Sequence, residues 1–410
     1  MCSFFNKQNE HFMDVWPVFW RTPFYAAKLK QARIHPDDVT GLQDIKKIPF
    51  TYKNEVRLTS PFERTPLSIE EIRLLLSSSG TTGRATVYAW GDEDIEILRE
   101  SGRKAFTDIG VQEADVVLVL APFGMPVMGY CMLEQYRELG VTVIPLGVRP
   151  PQEVLHILNE WPITAIATLP TVAVKLYEFA VLNEVRLPDR KISFHFGGHF
   201  MSNALRKRIE SMWGGKAYNL FGMSEIFGPI GWECEQQEGF HYIAEHLYVE
   251  VIDPDTLQPV EPGEIGVAIY TTLWNKGFPL LRYWSDDFVV MISNPCSCGS
   301  PLPRFRYVGR PHEMTVVNGR RIFSSQVEEI VLSYPVGNEY RLKFESTHRE
   351  DKAVLVVEMP SLKQSVVNAL SDLLSQYLQI PVEVEVVTPG SLNRDYVKPV
   401  RIIDTRGKEK

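Results

Sequence analysis

The sequence lacks an excess of positive charge. Its 410 residues include 43 Lys and Arg against 51 Asp and Glu, which gives a formal net charge of −8. Proteins that bind nucleic acid or anionic membrane surfaces use a basic field to attract phosphates. The composition therefore predicts neither nucleic acid nor a membrane as a partner.

A secretory leader and a long uninterrupted apolar run are also lacking. The N-terminus, "MCSFFNKQNEHFMD", has no basic segment in front of an apolar core, so it does not predict a secretory signal. The chain carries no charge between Asp115 and Glu134, but two prolines and two glycines interrupt that stretch. A strand followed by a loop is favoured there over a membrane-spanning helix.

Cysteine is scarce, with five residues in the whole chain. An odd number in a chain of this length is not typical of a disulfide framework. We therefore expect a reducing, cytoplasmic location.

Short apolar runs alternate with amphipathic segments over the first two-thirds of the chain. "DVVLVLAPF" predicts a buried strand, "YCMLEQYREL" a helix and "VTVIPLG" the next strand. The pairs "PQEVLHILNEW" with "TAIATLP", and "SFHFGG" with "NALRKRIESMW", repeat this alternation. The order is typical of an α/β fold.

The pattern changes from Tyr242 onward. "HLYVEVIDPDTLQPVEPGEIGVAIYTTL" alternates apolar residues between turn signals, which predicts antiparallel β structure. The segments after Gly309 predict a small α+β domain of about 100 residues, with a capping box formed by Ser325 and Glu328. We predict a large domain over residues 1–308 and a small one over residues 309–410.

The stretch "LLLSSSGTTGRATVY", residues 74–88, is rich in glycine and hydroxyl side chains. Gly80 and Gly83 allow the backbone to approach an anion closely, and Arg84 adds a fixed positive charge. The spacing is not that of a Walker P-loop. Taken alone, the stretch fits a phosphate-binding loop or a flexible surface loop.

Four further motifs follow in order: "NLFGMSE" (219–225), "RYWSDDF" (282–288), "GRPHEMTVVNGRRIFSSQVEE" (309–329) and "PGSLNRDYVKPVRIID" (389–404). With the glycine-rich stretch, they resemble the adenylate-forming superfamily, in particular its phenylacetate–CoA ligase branch. The resemblance runs from about Ile48 to the end of the chain. It implies an adenylation domain of α/β sheets with a β-barrel-like part, followed by a small mobile α+β domain.

The resemblance implies an enzyme that activates a carboxylic acid with ATP and Mg²⁺ and passes the acyl group to coenzyme A. It implies a phosphate loop formed by Ser78, Ser79, Gly80, Thr81, Thr82, Gly83 and Arg84. Nucleotide contacts are implied for Asn219, Phe221, Gly222, Met223, Ser224, Asp287 and Arg310. Glu225 would hold Mg²⁺, and Gly319 would meet coenzyme A. Lys398 would be the catalytic cation, assisted by Thr82, Arg84 and Glu225, although most lysines are solvated surface residues.

Several residues depart from the family pattern. Arg84 replaces lysine, Asn219 replaces aspartate, and His199 stands where relatives often have glutamate. His312 and Trp284 also replace family residues at the hinge and in "RYWSDDF". Adenylation remains supported, but two alternatives stay open: another acyl acceptor, such as an amine or a carrier protein, or a nucleotide-binding relative without catalysis. A homodimer is one alternative for the oligomeric state.

The resemblance places the acyl group between the "APFG" strand end and the glycines before His199. The implied lining residues are Phe123, Met128, Tyr130, Phe196, Gly197, Gly198, His199, Phe227 and Gly228. Flat rings suit a pocket of aromatic, methionine and glycine residues, so we expect an aromatic or heteroaromatic acid. Core packing is the alternative role for these residues.

Three cysteines and a histidine form a second candidate site. Cys234, His241, Cys296 and Cys298 match positions at which some phenylacetate–CoA ligases bind zinc, and this donor set suits a structural Zn²⁺. Buried free thiols are the alternative, and His246 is a competing imidazole.

Overall fold

The computed structural model describes residues 2–78, 85–274, 276–346, 351–395 and 399–406. The α-helices in these ranges are α1 (Cys2–Arg21), α2 (Pro23–Gln31), α3 (Lys53–Leu58), α4 (Asp92–Asp108), α5 (Val127–Glu138), α6 (Pro151–Glu160), α7 (Pro170–Leu182), α8 (Asn203–Trp213), α9 (Ser324–Leu332) and α10 (Gln364–Leu378). Within the described part of the chain, none of the helices combines the length and apolar character that a bilayer crossing requires.

The strands are β1 (Thr51–Tyr52), β2 (Leu74–Ser77), β3 (Val87–Trp90), β4 (Val116–Val119), β5 (Thr142–Ile144), β6 (Ala165–Thr168), β7 (Ile192–Phe196), β8 (Gly214–Met223), β9 (Ile226–Trp232), β10 (Phe240–Tyr242), β11 (Leu247–Ile252), β12 (Ile265–Thr272), β13 (Tyr283–Ile292), β14 (Arg304–Gly309), β15 (Met314–Val317), β16 (Arg320–Phe323), β17 (Tyr340–Ser346), β18 (Asp351–Glu358), β19 (Val382–Val387) and β20 (Ile402–Asp404). They include every strand that the α/β and antiparallel patterns predict.

One large sheet runs in the order β11-β12-β13-β14-β10-β9-β8-β7-β6-β4-β5, with β1 beside β13. Strands β4 to β8 pair in parallel, while β8 to β14 pair antiparallel. Helices α4 and α5 pack on one face of the parallel half, and α6, α7 and α8 pack on the other. The mixed α/β fold with a small C-terminal domain is therefore confirmed.

The small domain is a four-stranded sheet in the order β19-β18-β17-β20, with α9 and α10 packed against it. The β15–β16 hairpin precedes it and turns at Asn318 and Gly319. Both residues have positive φ, +49° and +75°, which is the conformation that Asn-Gly favours in a tight hairpin turn. Gly319 is therefore exposed at the tip of this hairpin.

The predicted capping box of Ser325 and Glu328 is wrong. Helix α9 begins at Ser324, and Gln326 bonds the backbone N–H of its N-cap, Phe323. Ser325 instead donates its hydroxyl to the carbonyl of Val308 at 2.5 Å, and Glu328 accepts from the backbone of Ser202. Residue spacing indicates only local hydrogen-bond partners, whereas the N-terminal part of α9 lies against another part of the chain.

Candidate functional site

The glycine-rich stretch connects the two strands of the β2–β3 hairpin. Ser78 donates its N–H to the carbonyl of Thr86 at 2.9 Å, and the Ser78 hydroxyl accepts from the N–H of Thr86 at 3.1 Å. Ser77 donates to the carbonyl of Met125 at 2.7 Å. The base of the loop is thus fixed beside "APFG". The six other loop residues lie outside the described ranges: Ser79, Gly80, Thr81, Thr82, Gly83 and Arg84.

Glu225 lies in the turn between β8 and β9, and its residue surface is only 4% exposed. Its Oε1 accepts from the hydroxyl of Tyr283 at 3.2 Å and lies 3.3 Å from Nζ of Lys53. A buried carboxylate held by a hydroxyl and an ammonium group is fixed in one orientation. Sequence reasoning missed Lys53, although it directly follows β1, which pairs with β13 at Tyr283.

Asp287 is fully buried on β13 and forms an ion pair with Arg310, with 2.5 Å between Oδ1 and Nε. Its other oxygen, Oδ2, has no hydrogen-bond partner among the described residues. Burial raises the pKa of the Asp287 carboxyl, and the charge of Arg310 opposes that rise. An orphaned acceptor inside a protein is costly, so this oxygen is suited to accept from a ligand hydroxyl.

Phe221 lies near the end of β8 within an aromatic cluster. Its ring centroid is 5.4 Å from Tyr307 and 5.1 Å from Phe305. Phe221 is buried, so it forms part of a packed aromatic wall. Gly222, Met223 and Ser224 continue β8 into the turn that carries Glu225.

The Asn219 side chain forms hydrogen bonds to other residues of the protein. Its Oδ1 accepts from the N–H of Met201 at 3.1 Å, and its Nδ2 donates to the Met201 carbonyl at 3.1 Å and to Glu233 at 3.2 Å. Glu233 is buried and paired with Arg206 at 2.5 Å. An aspartate at position 219 would place a second carboxylate beside that of Glu233, and the two negative charges would repel each other. An amide avoids this repulsion, which explains why asparagine is tolerated at this position.

Met128, Gly197 and Gly198 are brought together where β7 ends against the start of α5. A Cβ on Gly197 would lie 3.4 Å from Cε of Met128 and 3.2 Å from Cε of Met132. Gly198 has a φ of +79°, which disfavours larger residues. His199 follows them and is half-buried.

Two of the other predicted pocket residues, Phe196 and Tyr130, pack against side chains outside this group. Phe196 is fully buried and stacks on Phe194, with centroids 5.3 Å apart, inside the core beneath α8. Tyr130 lies on a different side of α5 from Met128, with its ring 6.1 Å from Trp90. Phe123 is 37% exposed. Phe227 and Gly228 belong to β9, and their side chains are outside the described part of the chain.

The predicted catalytic residue Lys398 also lies outside the described ranges. Arg394, four residues earlier, is described, and it bonds Glu358 of the small domain at 2.8 Å and Glu178 of α7 at 3.3 Å. Arg394 is therefore held between the small domain and the large domain.

Cys234, His241, Cys296 and Cys298 form a compact group whose possible ligand atoms all lie within 4.8 Å of one another. Sγ of Cys234 is 3.7 Å from Sγ of Cys296, and Sγ of Cys298 is 3.5 Å from Nε2 of His241. A tetrahedral zinc with ordinary bond lengths requires about 3.8 Å between sulfurs and about 3.5 Å between sulfur and nitrogen. Nδ1 of His241 lies 3.3 Å from the Leu302 carbonyl, a contact that leaves Nε2 as the ligand atom.

Comparisons with known proteins cover almost the whole chain. Residues 23–272 match the family described as AMP-binding enzyme, and residues 319–406 match the AMP-binding enzyme C-terminal domain. A phenylacetate–coenzyme A ligase of Thermus thermophilus is 30% identical over 362 residues, or 87% of this chain and 81% of the relative.

Two solved structures of 2-hydroxyisobutyryl-CoA ligase share the fold. In its postadenylation state that protein matches 97% of this chain and 88% of its own at 23% identity, with a TM-score of 0.87. In its thioesterification state it matches 98% and 90% at 24% identity, with a TM-score of 0.71.

Proposed function

Since the chain belongs to the AMP-binding enzyme family and is an adenylate-forming acid–thiol ligase, its substrate is a carboxylic acid, and we propose that this acid is aromatic or heteroaromatic. ATP activates the acid as an acyl-adenylate, and coenzyme A receives the acyl group. Two buried carboxylates support adenylate formation most directly. Tyr283 of β13, the strand that carries Asp287, donates to Glu225, and Asp287 keeps one oxygen for a ligand.

In the first half-reaction, a carboxylate oxygen of the acid forms a bond to the α-phosphorus, and the bond from that phosphorus to the bridging oxygen breaks. Pyrophosphate leaves with the electron pair. The transition state gathers negative charge, so catalysis depends on positioning and on fixed positive charge. In the second half-reaction, the sulfur of coenzyme A bonds to the acyl carbon and AMP departs.

Asp287 would accept a ribose hydroxyl through Oδ2, with Arg310 holding the carboxylate in place. Glu225 would hold Mg²⁺, since a fixed, buried carboxylate is the single protein ligand that magnesium bound to nucleotide phosphates often uses. When bound, Mg²⁺ neutralises charge on the phosphate oxygens. Lys53, which lies beside Glu225, would add a second positive group there.

The acid would lie against Met128, Gly197 and Gly198. A Cβ on Gly197 would lie 3.2 Å from Met132, and a Cβ on Gly198 would lie 3.0 Å from Leu169, so only glycine backbone fits at both positions. Methionine sulfur packs favourably against aromatic edges. His199 at the end of this surface would meet a polar group of the acid. These features favour a planar ring over a branched aliphatic acid.

A pyrophosphate-release assay with Mg-ATP and a panel of acids tests the substrate class. The panel contains phenylacetate, benzoate and nicotinate, with hexanoate and 2-hydroxyisobutyrate as aliphatic comparisons. We expect release with at least one aromatic acid and at least a tenfold lower kcat/KM for the aliphatic acids. Release with an aliphatic acid alone would overturn the aromatic assignment, and adenylate without thioester would indicate another acceptor.

The cysteine–histidine group is proposed as a structural zinc site. Three thiolates and one imidazole fill four tetrahedral positions and leave none for substrate. The group joins the β9–β10 connection to the loop before β14, so a bound ion would tie these segments together. His246 is not a member, and its ring lies 5.6 Å from Trp274.

We also propose the division of the chain at residues 308 and 309. Strand β14, which belongs to the large sheet, ends at Gly309, and Arg310 follows it. This location would make Arg310 both a partner of Asp287 and the first residue of the hinge.

A further inference from the structure

Arg208 on α8 binds the end of a helix in the other domain. Its Nε donates to the carbonyl of Leu332 at 2.9 Å, and its Nη2 donates to that of Tyr334 at 2.6 Å. Its Nη1 donates to the carbonyl of Val336 at 2.9 Å, and further contacts reach Gly337 and Asn338. The last carbonyls of a helix have no intrahelical partner and carry partial negative charge. Arg208 therefore supplies, from the large domain, the cap for the C-terminal end of α9.

The N-terminal end of α8 in turn receives negatively charged side chains from α9. Glu329 of α9 accepts from the N–H of Ala204 at 3.0 Å, and Glu328 accepts from the N–H of Ser202 at 3.3 Å. These N–H groups belong to the first turn of α8, which attracts negative charge. Each helix thus supplies charged side chains to a terminus of the other, an arrangement that depends on how the domains are placed.

Resting on the function proposed above, we propose that Arg208 is a positioning residue that holds the two domains in the arrangement that precedes thioester formation. The chain matches the postadenylation state of the related ligase with a TM-score of 0.87 and the thioesterification state with 0.71. If the small domain turns between the half-reactions, the guanidinium group has to release these carbonyls. Arg208 then sets the equilibrium between the arrangements without touching substrate.

Measuring the two half-reactions separately tests this role. The first is acid-dependent exchange of labelled pyrophosphate into ATP, and the second is transfer from preformed acyl-adenylate to coenzyme A. When the arrangements interconvert rapidly, the ratio of the two rates follows the equilibrium between them, whereas a folding defect lowers both rates equally. Arg208→Met keeps the aliphatic stem and removes the donors.

We expect Arg208→Met to shift this ratio about tenfold toward thioester formation, which corresponds to about 1.4 kcal/mol of lost preference. Lys207→Met is the matched control, because Lys207 is the exposed neighbour on the same helix. The control should leave the ratio unchanged. An unchanged ratio in Arg208→Met, or an equal loss of both rates, would overturn the role.

Glu329→Gln provides a second test if Arg208→Met does not fold, because Glu329 is an exposed member of the same interface. It should shift the ratio in the same direction by a smaller factor, and an unchanged ratio would contradict the proposal. Hydrogen exchange at the Ala204 amide gives an independent readout: we expect faster exchange in both variants than in the parent protein. If the unmodified protein performs neither half-reaction, the proposed function fails. If the unmodified protein performs both and the variants show no shift in the ratio, the positioning role of Arg208 fails.

Discussion

Asp287 and Arg310 form a buried ion pair in which only one carboxylate oxygen is used. Oδ1 lies 2.5 Å from Nε of Arg310, and Oδ2 has no hydrogen-bond partner among the described residues. Because Arg310 immediately follows β14, the pair links strand β13 to the segment that leads into the small domain. The Asp287 carboxylate would thus contact both the ligand and the first residue of the proposed hinge.

Replacing Asp287 with Asn should weaken nucleotide binding by about 10- to 100-fold, the range expected when a hydrogen bond to a charged group is lost. Isothermal titration with AMP measures the dissociation constant. Asp286→Asn is the matched control, because Asp286 precedes it with a φ of +65°, a conformation that asparagine tolerates. Equal affinities for the Asp287 variant and the parent would contradict the nucleotide role.

Replacing Tyr283 with Phe should raise the Mg²⁺ concentration needed for half-maximal pyrophosphate exchange by about tenfold, because groups that orient a metal ligand affect affinity by 10- to 100-fold. The rate at saturating Mg²⁺ should change little. Tyr25→Phe, which removes a buried hydroxyl that bonds the N–H of Leu281, is the control for stability. If Tyr283→Phe needs the same Mg²⁺ concentration for half-maximal exchange as the parent protein, Tyr283 does not orient a Mg²⁺ ligand.

The purified protein should contain one zinc per chain by elemental analysis. Cys296→Ser should lose most of this zinc and lower the thermal midpoint, because a closed structural site contributes directly to folding. Cys131→Ser, a buried thiol outside the group, should keep the metal. If the parent protein contains no zinc and Cys296→Ser has the same thermal midpoint as the parent, the four residues are free thiols and an imidazole.

Acidification should destabilise the protein through His195. Burial lowers the pKa of His195 to about 4 from 6.5, and its Nδ1 lies 2.5 Å from the Tyr136 hydroxyl. Between pH 6.5 and 4 the unfolded chain binds this proton and the folded chain does not. The free energy of unfolding should therefore fall with decreasing pH by up to about 1.4 kcal/mol per pH unit.

Urea unfolding across this pH range checks the effect. His195→Gln should flatten the pH dependence, whereas His156→Gln at an exposed position should leave it as in the parent protein. Identical slopes for the His195 variant and the parent would contradict a neutral buried histidine.

Replacing Lys398 with Ala should slow adenylation by about 10²- to 10³-fold, the loss expected when one group that stabilises transition-state charge is removed. Transfer from preformed acyl-adenylate to coenzyme A should continue. Pyrophosphate exchange and thioester formation are measured on the same preparation. Lys363→Ala, directly before α10, is the control, and equal losses in both half-reactions would contradict the assignment of Lys398.

The repeating patterns made the fold predictable from sequence, whereas contacts between distant segments did not follow from it. Helix α5 and strand β7 follow from their apolar spacing, and the cysteine–histidine group followed from the resemblance. Lys53 near Glu225 could not be found in this way, because about 170 residues separate them and the β1–β13 pairing helps to bring them together. Glu328 fits a local cap but serves another helix, since spacing carries no information about tertiary partners.

The most direct test of the proposed function follows all products of one reaction. The protein is incubated with Mg-ATP, coenzyme A and the best aromatic acid, and AMP, pyrophosphate and acyl-CoA are quantified by mass spectrometry. We predict the three products in equal amounts, with none when the acid is omitted. ADP in place of AMP, or AMP and pyrophosphate without any acyl-CoA, would contradict it.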